Sequence, residues 1–151
     1  MSTFAVKSKM EEYLGFDEIL RLARDFETGT LPRAQWTHRA HLTVACWYLA
    51  CHAEPNATGR IREGIKKYNA SQGNVTTRES GYHETMTLFW ARMVRGYLAK
   101  ATLERPLAHI VNDLVSHYSN KNLPFEYYSR DRLMSGEARM NWMEPDLKLI
   151  A

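Results

Sequence analysis

Thr37-His38-Arg39-Ala40-His41-Leu42-Thr43-Val44-Ala45-Cys46-Trp47-Tyr48-Leu49-Ala50 is the stretch on which the fold turns. Thr37 is a helix cap, because its hydroxyl oxygen can accept one of the N–H groups that a first helical turn leaves unpaired. The helix then runs from His38 to about His52, and its middle, Leu42 to Ala50, has almost no polar face. A helix that is apolar nearly all round has to be covered on every side, which puts it at the centre of a bundle. Glu54-Pro55-Asn56 ends it.

Outward from this centre, the helical period recurs. Upstream, Ser8 and Glu11 have the spacing of a capping box, and Tyr13, Leu14, Ile19, Leu20, Leu22, Ala23 and Phe26 form an apolar stripe as far as Gly29. Thr30-Leu31-Pro32 is a break. Downstream, Thr58 starts a third helix with Ile61, Ile65 and Tyr68 inward, closing near Gly73-Asn74. Thr76 and Glu79 make a further capping box, although Gly81 moves the regular start nearer Ser80. From there Tyr82, Met86, Phe89, Trp90, Met93, Val94 and Tyr97 trace an apolar face to about Lys100.

Pro106 suits the first turn of a fifth helix carrying Leu107, Ile110, Val111, Leu114, Val115 and Tyr118, and Asn120-Lys121-Asn122 stops it. No segment has the period of two that a half-buried strand requires. The expectation is an all-α, single-domain bundle of about five helices over 1–151. An irregular, aromatic and arginine-rich tail follows over 123–151, with short helical turns starting at Ser129 and Ser135.

Composition narrows the class. The 151 residues are 44% hydrophobic and 25% charged, as in ordinary globular domains. Twenty Lys and Arg against seventeen Asp and Glu leave a formal charge of +3, too small and too scattered to point to nucleic acid or an anionic membrane. No apolar run approaches the ~20 residues of a membrane span. The first residues, MSTFAVKSKMEEYLG, lack the basic-then-apolar pattern of a signal peptide. The two cysteines, Cys46 and Cys51, fall on different sides of one helix, so the pair suits a reducing compartment and the expected location is the cytoplasm.

Chemistry concentrates in Trp36-Thr37-His38-Arg39-Ala40-His41-Leu42. His38 and His41 are separated by about 300° of helical rotation and share a face. Two imidazoles so placed can bind one divalent ion if another helix supplies the rest of the shell. Tyr82-His83-Glu84-Thr85 is the candidate supplier, with His83 as third ligand. Such a site suits mononuclear zinc, iron or copper chemistry, hydrolytic or oxygenating. Glu84, or Glu79 one turn earlier, is then the general base, a fourth ligand or a hydrogen-bond acceptor behind the metal.

In the tail, Arg130, Arg132 and Arg139 are candidate grips for an anionic small-molecule substrate, with Trp36 and Trp90 as walls. The tail is either a lid carrying this grip or a packing segment anchored by Phe125, Tyr128, Leu133 and Trp142. In the packing case its arginines pair with Asp131, Glu137 and Glu144. His109, Asp113 and His117 read as a solvated helix face.

Two further readings compete with the metalloenzyme. One is a non-catalytic pocket for an apolar or planar ligand, walled by Trp36, Trp47, Trp90 and Tyr97. The other is a homodimeric interaction module in which two copies share the apolar helix and the histidines satisfy one another.

Overall fold

Apolar stripes become helices where expected, and the polar breaks become their ends. The computed structural model describes residues 12, 13, 15–101 and 104–151. Helix α1 spans Phe16–Thr28, α2 His38–Cys51, α3 Asn56–Ser71, α4 Glu84–Lys100 and α5 Leu107–His117. Three short helices form the tail: α6 Pro124–Tyr127, α7 Arg130–Leu133 and α8 Gly136–Met140. A 3-10 turn at Arg33–Gln35 leads into α2. Among the described residues there is no strand.

Several helix starts follow the sequence closely. Thr37 Oγ1 accepts from Ala40 N–H at 3.2 Å, and the Ser129 and Ser135 hydroxyls cap α7 and α8 in the same way. Others move. The Ser8–Glu11 box and Leu14 lie outside the described residues, and α1 begins only at Phe16. Tyr13 is buried without belonging to α1: its N–H donates to Asn112 Oδ1 at 2.9 Å and its hydroxyl meets Thr43 Oγ1 at 2.9 Å. Helix α3 starts at Asn56, two residues before Thr58, because the Glu54 carboxylate takes the capping role and accepts from Thr58 N–H at 2.8 Å.

The largest correction is at α4. The Thr76–Glu79 box does not open the helix, which begins at Glu84. Thr77 and Ser80 close a turn on each other (Thr77 N–H to Ser80 O, 2.9 Å), and Gly81 follows with φ +87. That left-handed backbone cannot continue a right-handed helix. A Cβ at Gly81 would also stand 2.7 Å from Thr76 Cα.

Helix α2 is the centre of the bundle, packed against α1, α3, α4 and α5. Leu42, Val44, Ala45, Cys46 and Tyr48 are buried, Trp47 and Leu49 are half-buried, and Ala50 is exposed. Its one fully buried hydroxyl, on Thr43, donates to Arg39 O at 2.7 Å, which removes the penalty for a polar group in the core. Cys46 is buried and Cys51 exposed, both as free thiols; burial pushes Cys46 up to about 12, so it behaves as a small hydrophobe.

A second, smaller core forms where Phe89 and Met93 of α4 meet Tyr128 and Leu133 of the tail. Polar bonds secure the tail there. The Thr85 hydroxyl donates to Asn141 O at 2.7 Å and accepts from Met143 N–H at 3.1 Å, while the Tyr128 hydroxyl donates to Met143 O at 2.7 Å. The tail is therefore a packing segment over much of its length. Its arginines do not pair with Asp131, Glu137 or Glu144; the ion pairs among the described residues are Arg62–Glu84, Arg95–Glu54 and Arg105–Asp113. Backbone carbonyls hold two of the tail guanidiniums instead: Arg132 Nε donates to Glu144 O at 2.6 Å and Arg139 Nη1 to Gly81 O at 2.8 Å. No helix among the described residues is long and apolar enough to cross a membrane.

Candidate functional site

The first turn of α2 opens onto a cavity of about 540 Å³. Trp36, His38 and His41 form one wall, and Ile61, Ile65 and Asn69 of α3 form another. Helix α4 and the residues leading into it contribute Tyr82, His83, Met86, Thr87 and Trp90. Lys121, Asn122, Phe125, Arg130 and Met134 close the remaining side from the tail. The three expected histidines thus share one cavity, and so do the two expected tryptophans. Trp47 and Tyr97 do not line it; Trp47 rests on Phe16 with ring centroids 5.6 Å apart.

Ring stacking fixes the tryptophans and histidines. Trp36 stacks on Phe26 at 4.8 Å and lies against Tyr68 at 5.2 Å, while its other contact is the His41 ring at 3.8 Å. The edge of His38 meets Trp90 at 4.8 Å. Large rings held by other rings lose few further rotamers when a ligand arrives, so these walls are preorganised.

Hydrogen bonds to carbonyls set the tautomers. A carbonyl can only accept, so the ring nitrogen facing it carries the proton. His41 Nδ1–H donates to Thr37 O at 2.7 Å, which leaves Nε2 as the lone pair. His38 Nε2–H donates to Tyr118 O at 2.7 Å, and none of the described residues bonds its Nδ1. The His41 ring is exposed by surface area, its edge open to solvent, while the rest of it sits deep in a concave, largely apolar cavity. Depth governs the charge here more than area does. Burial, countered by the Thr37 bond and reinforced by His38, lowers its pKa to about 4, so the ring is neutral at physiological pH.

His83 is spoken for. It is the N-cap of α4: Nδ1 accepts from Met86 N–H at 3.1 Å, and Nε2–H donates to Leu133 O at 2.8 Å. Both ring nitrogens are used, so neither can coordinate an ion without breaking a helix cap or a buried tail contact. Burial and the nearby Arg139 lower its pKa despite the Leu133 bond. Among the described residues, no group of three or more His, Cys, Asp or Glu is placed to hold a metal ion. The three-imidazole centre expected from spacing is not assembled, because helix capping and tail docking have claimed its third member.

Glu84 is also turned away. One residue beyond His83, it faces α3, accepting from Arg62 Nε at 3.0 and 3.2 Å and from the Tyr82 hydroxyl at 2.6 Å. Burial alone would raise its pKa, but the bonds from Arg62 and Tyr82 and the Arg62 charge hold it below the usual carboxylate range. It is an anchored ion, not a base aimed at the cavity. Glu79 is exposed in the turn before Gly81 and does not line the cavity either.

Of the three candidate arginines, only Arg130 lines the cavity, its guanidinium carbon 5.0 Å from the centroid of the Phe125 ring. Arg132 and Arg139 are held by the carbonyls named above. Lys121, Asn122 and Phe125 are cavity residues that spacing did not single out, and Tyr82, read in sequence as part of an apolar helix face, lines the cavity as well. Asn120-Lys121-Asn122 reads in sequence only as a helix stop, and nothing local tells that the stop folds back over α2. The aromatic content of the tail was the one available signal for Phe125.

A larger cleft of about 620 Å³ lies towards the other end of α4, lined by Tyr97, Tyr118, Tyr127, Arg92, Lys100 and Arg105. Two of its cations are engaged, Arg92 over the Trp142 ring at 4.3 Å and Arg105 with Asp113, and its imidazole, His117, lies against the rings of Tyr97 at 5.6 Å and Tyr118 at 4.6 Å. His109, Asp113 and His117 are all exposed, as a solvated face requires, and Asp113 pairs with Arg105 rather than with its helical neighbours. Comparison with models of protein families, with curated proteins and with solved structures finds no match for the chain.

Proposed function

We propose that the chain binds a small, largely apolar molecule in the cavity between α2 and α4, with His41 Nε2 as the acceptor that orients it. The cavity itself carries this reading. Its volume of about 540 Å³ falls within the ~300–1,000 Å³ of ligand pockets, and its walls combine rings and aliphatic side chains with a few placed polar groups. A neutral imidazole whose pKa is near 4 is a weak proton acceptor at pH 7, since a general base works best with a pKa near the working pH. It remains a good hydrogen-bond acceptor, so recognition is the role it supports best.

The test is ligand-observed and protein-observed NMR with a library of uncharged and charged aromatic fragments. Binders are expected to move the indole N–H resonances of Trp36 and Trp90 together. Ile65→Trp, which fills the cavity from α3, is expected to abolish those shifts while the chain stays folded. Fragments that bind the filled variant as well as the wild type would refute the site.

A metal-dependent reaction is the second reading, and one observation favours it. His38 and His41 each donate one ring N–H to a backbone carbonyl, the arrangement that orients metal-bound imidazoles and leaves the other nitrogen to coordinate. Two protein ligands are fewer than the three of a catalytic zinc site, so substrate or water would have to complete the shell. Elemental mass spectrometry on untagged protein, beside a His38→Ala/His41→Ala double variant, decides it. Near-stoichiometric zinc, iron or copper that disappears in the variant supports the reaction; protein that neither carries nor takes up these ions removes it.

A further inference from the structure

The charge inventory of the cavity is one-sided. None of its lining residues is Asp or Glu, whereas Lys121 and Arg130 both belong to it. Neither cation has a carboxylate partner among the described residues. Glu84, the acid closest in sequence to the lining residues His83 and Met86, is committed to Arg62 on its other side. Arg139 adds positive potential behind the wall: it reaches the carbonyl of the lining residue Gly81 and lowers the His83 pKa, and its buried Nε has no hydrogen-bond partner. A cationic ligand would find no counter-charge among the lining residues and would be repelled by Lys121 and Arg130.

The rest of the wall limits how much charge a ligand can bring. Trp36, Trp90, Phe125, Ile61, Ile65 and Met86 make most of the surface apolar. A polyanion such as a nucleotide would bury more charge than two cations can compensate. A single oxyanion on an apolar body matches both halves. Arg130, braced against Phe125, presents the planar fork that grips a carboxylate through two parallel bonds, and Lys121 supplies a second, mobile charge.

We infer that the ligand of this cavity is an apolar monocarboxylate, with an aromatic or bulky aliphatic body between Trp36 and Trp90 and its carboxylate at Arg130 and Lys121. This rests on the ligand-site reading above and goes further by naming the class of ligand. Arg130 is the specificity-determining residue, and Lys121 assists.

Isothermal titration calorimetry of the full chain with indole-3-acetate and its uncharged isostere indole-3-acetamide separates the two levels of the argument. The acid is expected to bind at least tenfold more tightly than the amide, with the gap narrowing as ionic strength rises. Arg130→Gln should remove most of that gap, weakening the acid far more than the amide, and Lys121→Gln should remove a smaller part. Both side chains are exposed, so neither change should disturb folding, which thermal unfolding verifies. Equal affinity of acid and amide in the wild type, or a gap that survives Arg130→Gln, would overturn the carboxylate inference while the cavity remains a binding site. Failure of both compounds to bind or to shift the Trp36 and Trp90 indole resonances would overturn the inference and the ligand-site reading together.

Discussion

His83→Ala removes three things at once, and their sizes follow from the structure. The Nδ1 cap on Met86 N–H is lost, at about 1 kcal/mol for an N-cap replaced by alanine. Leu133 O loses its donor while Leu133 stays fully buried, which costs about 1–3 kcal/mol for an unsatisfied carbonyl. The vacated ring volume adds a cavity term that lies within the same uncertainty. The expected loss is therefore about 2–4 kcal/mol, or a fall in Tm of roughly 4–16 °C for a domain of this size. His83→Asn keeps a good cap residue but cannot reach Leu133 O, so it should recover about 1 kcal/mol of the loss.

Urea unfolding followed by Trp fluorescence gives both differences directly, and a repeat with zinc separates this account from metal ligation. If His83 acts only as cap and tail tie, added zinc shifts wild type and His83→Ala by the same amount. Loss of less than about 0.5 kcal/mol in His83→Ala, or a zinc stabilisation that vanishes with it, would refute the reasoning.

Other consequences are equally direct. Thr85→Val leaves Asn141 O without a donor and Met143 N–H without an acceptor at a position with no solvent access, so a loss of about 1–3 kcal/mol is expected by urea unfolding; a neutral result would mean the tail is not tied there.

His41 has a folded pKa of about 4 against an ordinary 6.5, so between these values the unfolded chain binds a proton that the folded chain refuses. Its contribution is present above pH 6.5 and is lost as pH falls towards 4. The ceiling is about 3 kcal/mol, reduced by solvent at the exposed ring edge to about 1 kcal/mol. His41→Phe keeps the stack on Trp36 and should flatten stability between pH 7 and 5; an unchanged slope would show that His41 is not the group responsible. In native protein a thiol reagent should label Cys51 and spare Cys46 until unfolding, and simultaneous labelling by mass spectrometry would contradict the burial of α2.

Gly81→Ala should destabilise by about 1–3 kcal/mol, because it forces both a left-handed φ and a backbone collision on an L residue; calorimetry showing no loss would mean that the turn relaxes freely.

The architecture was legible because it depends on periodicity. Leu42 to Ala50 has no polar face to turn outward, so α2 had to be central, and Thr37, Ser129 and Ser135 announce helix starts through hydroxyls that act within their own turn. The meeting of His38, His41 and His83 in one cavity was legible for the same reason: each opens or precedes a long apolar helix, and the N-terminal ends of two packed helices come together.

What each side chain then does was decided by tertiary structure. His83 spends its two nitrogens on Met86, three residues away, and on Leu133, fifty residues away, and the second partner exists only because the tail docks on α4. The switch from the extended backbone of the N-cap His83 to the first helical residue turns Glu84 to Arg62. Among Arg130, Arg132 and Arg139, composition offers no choice; the short helices α7 and α8 give two of them backbone carbonyls and leave Arg130 on the cavity. Helix periodicity is a local property that a sequence carries in its spacing. The facing of one titratable group depends on the rotation and docking of elements far apart in the chain, and a single residue step changes its partner altogether.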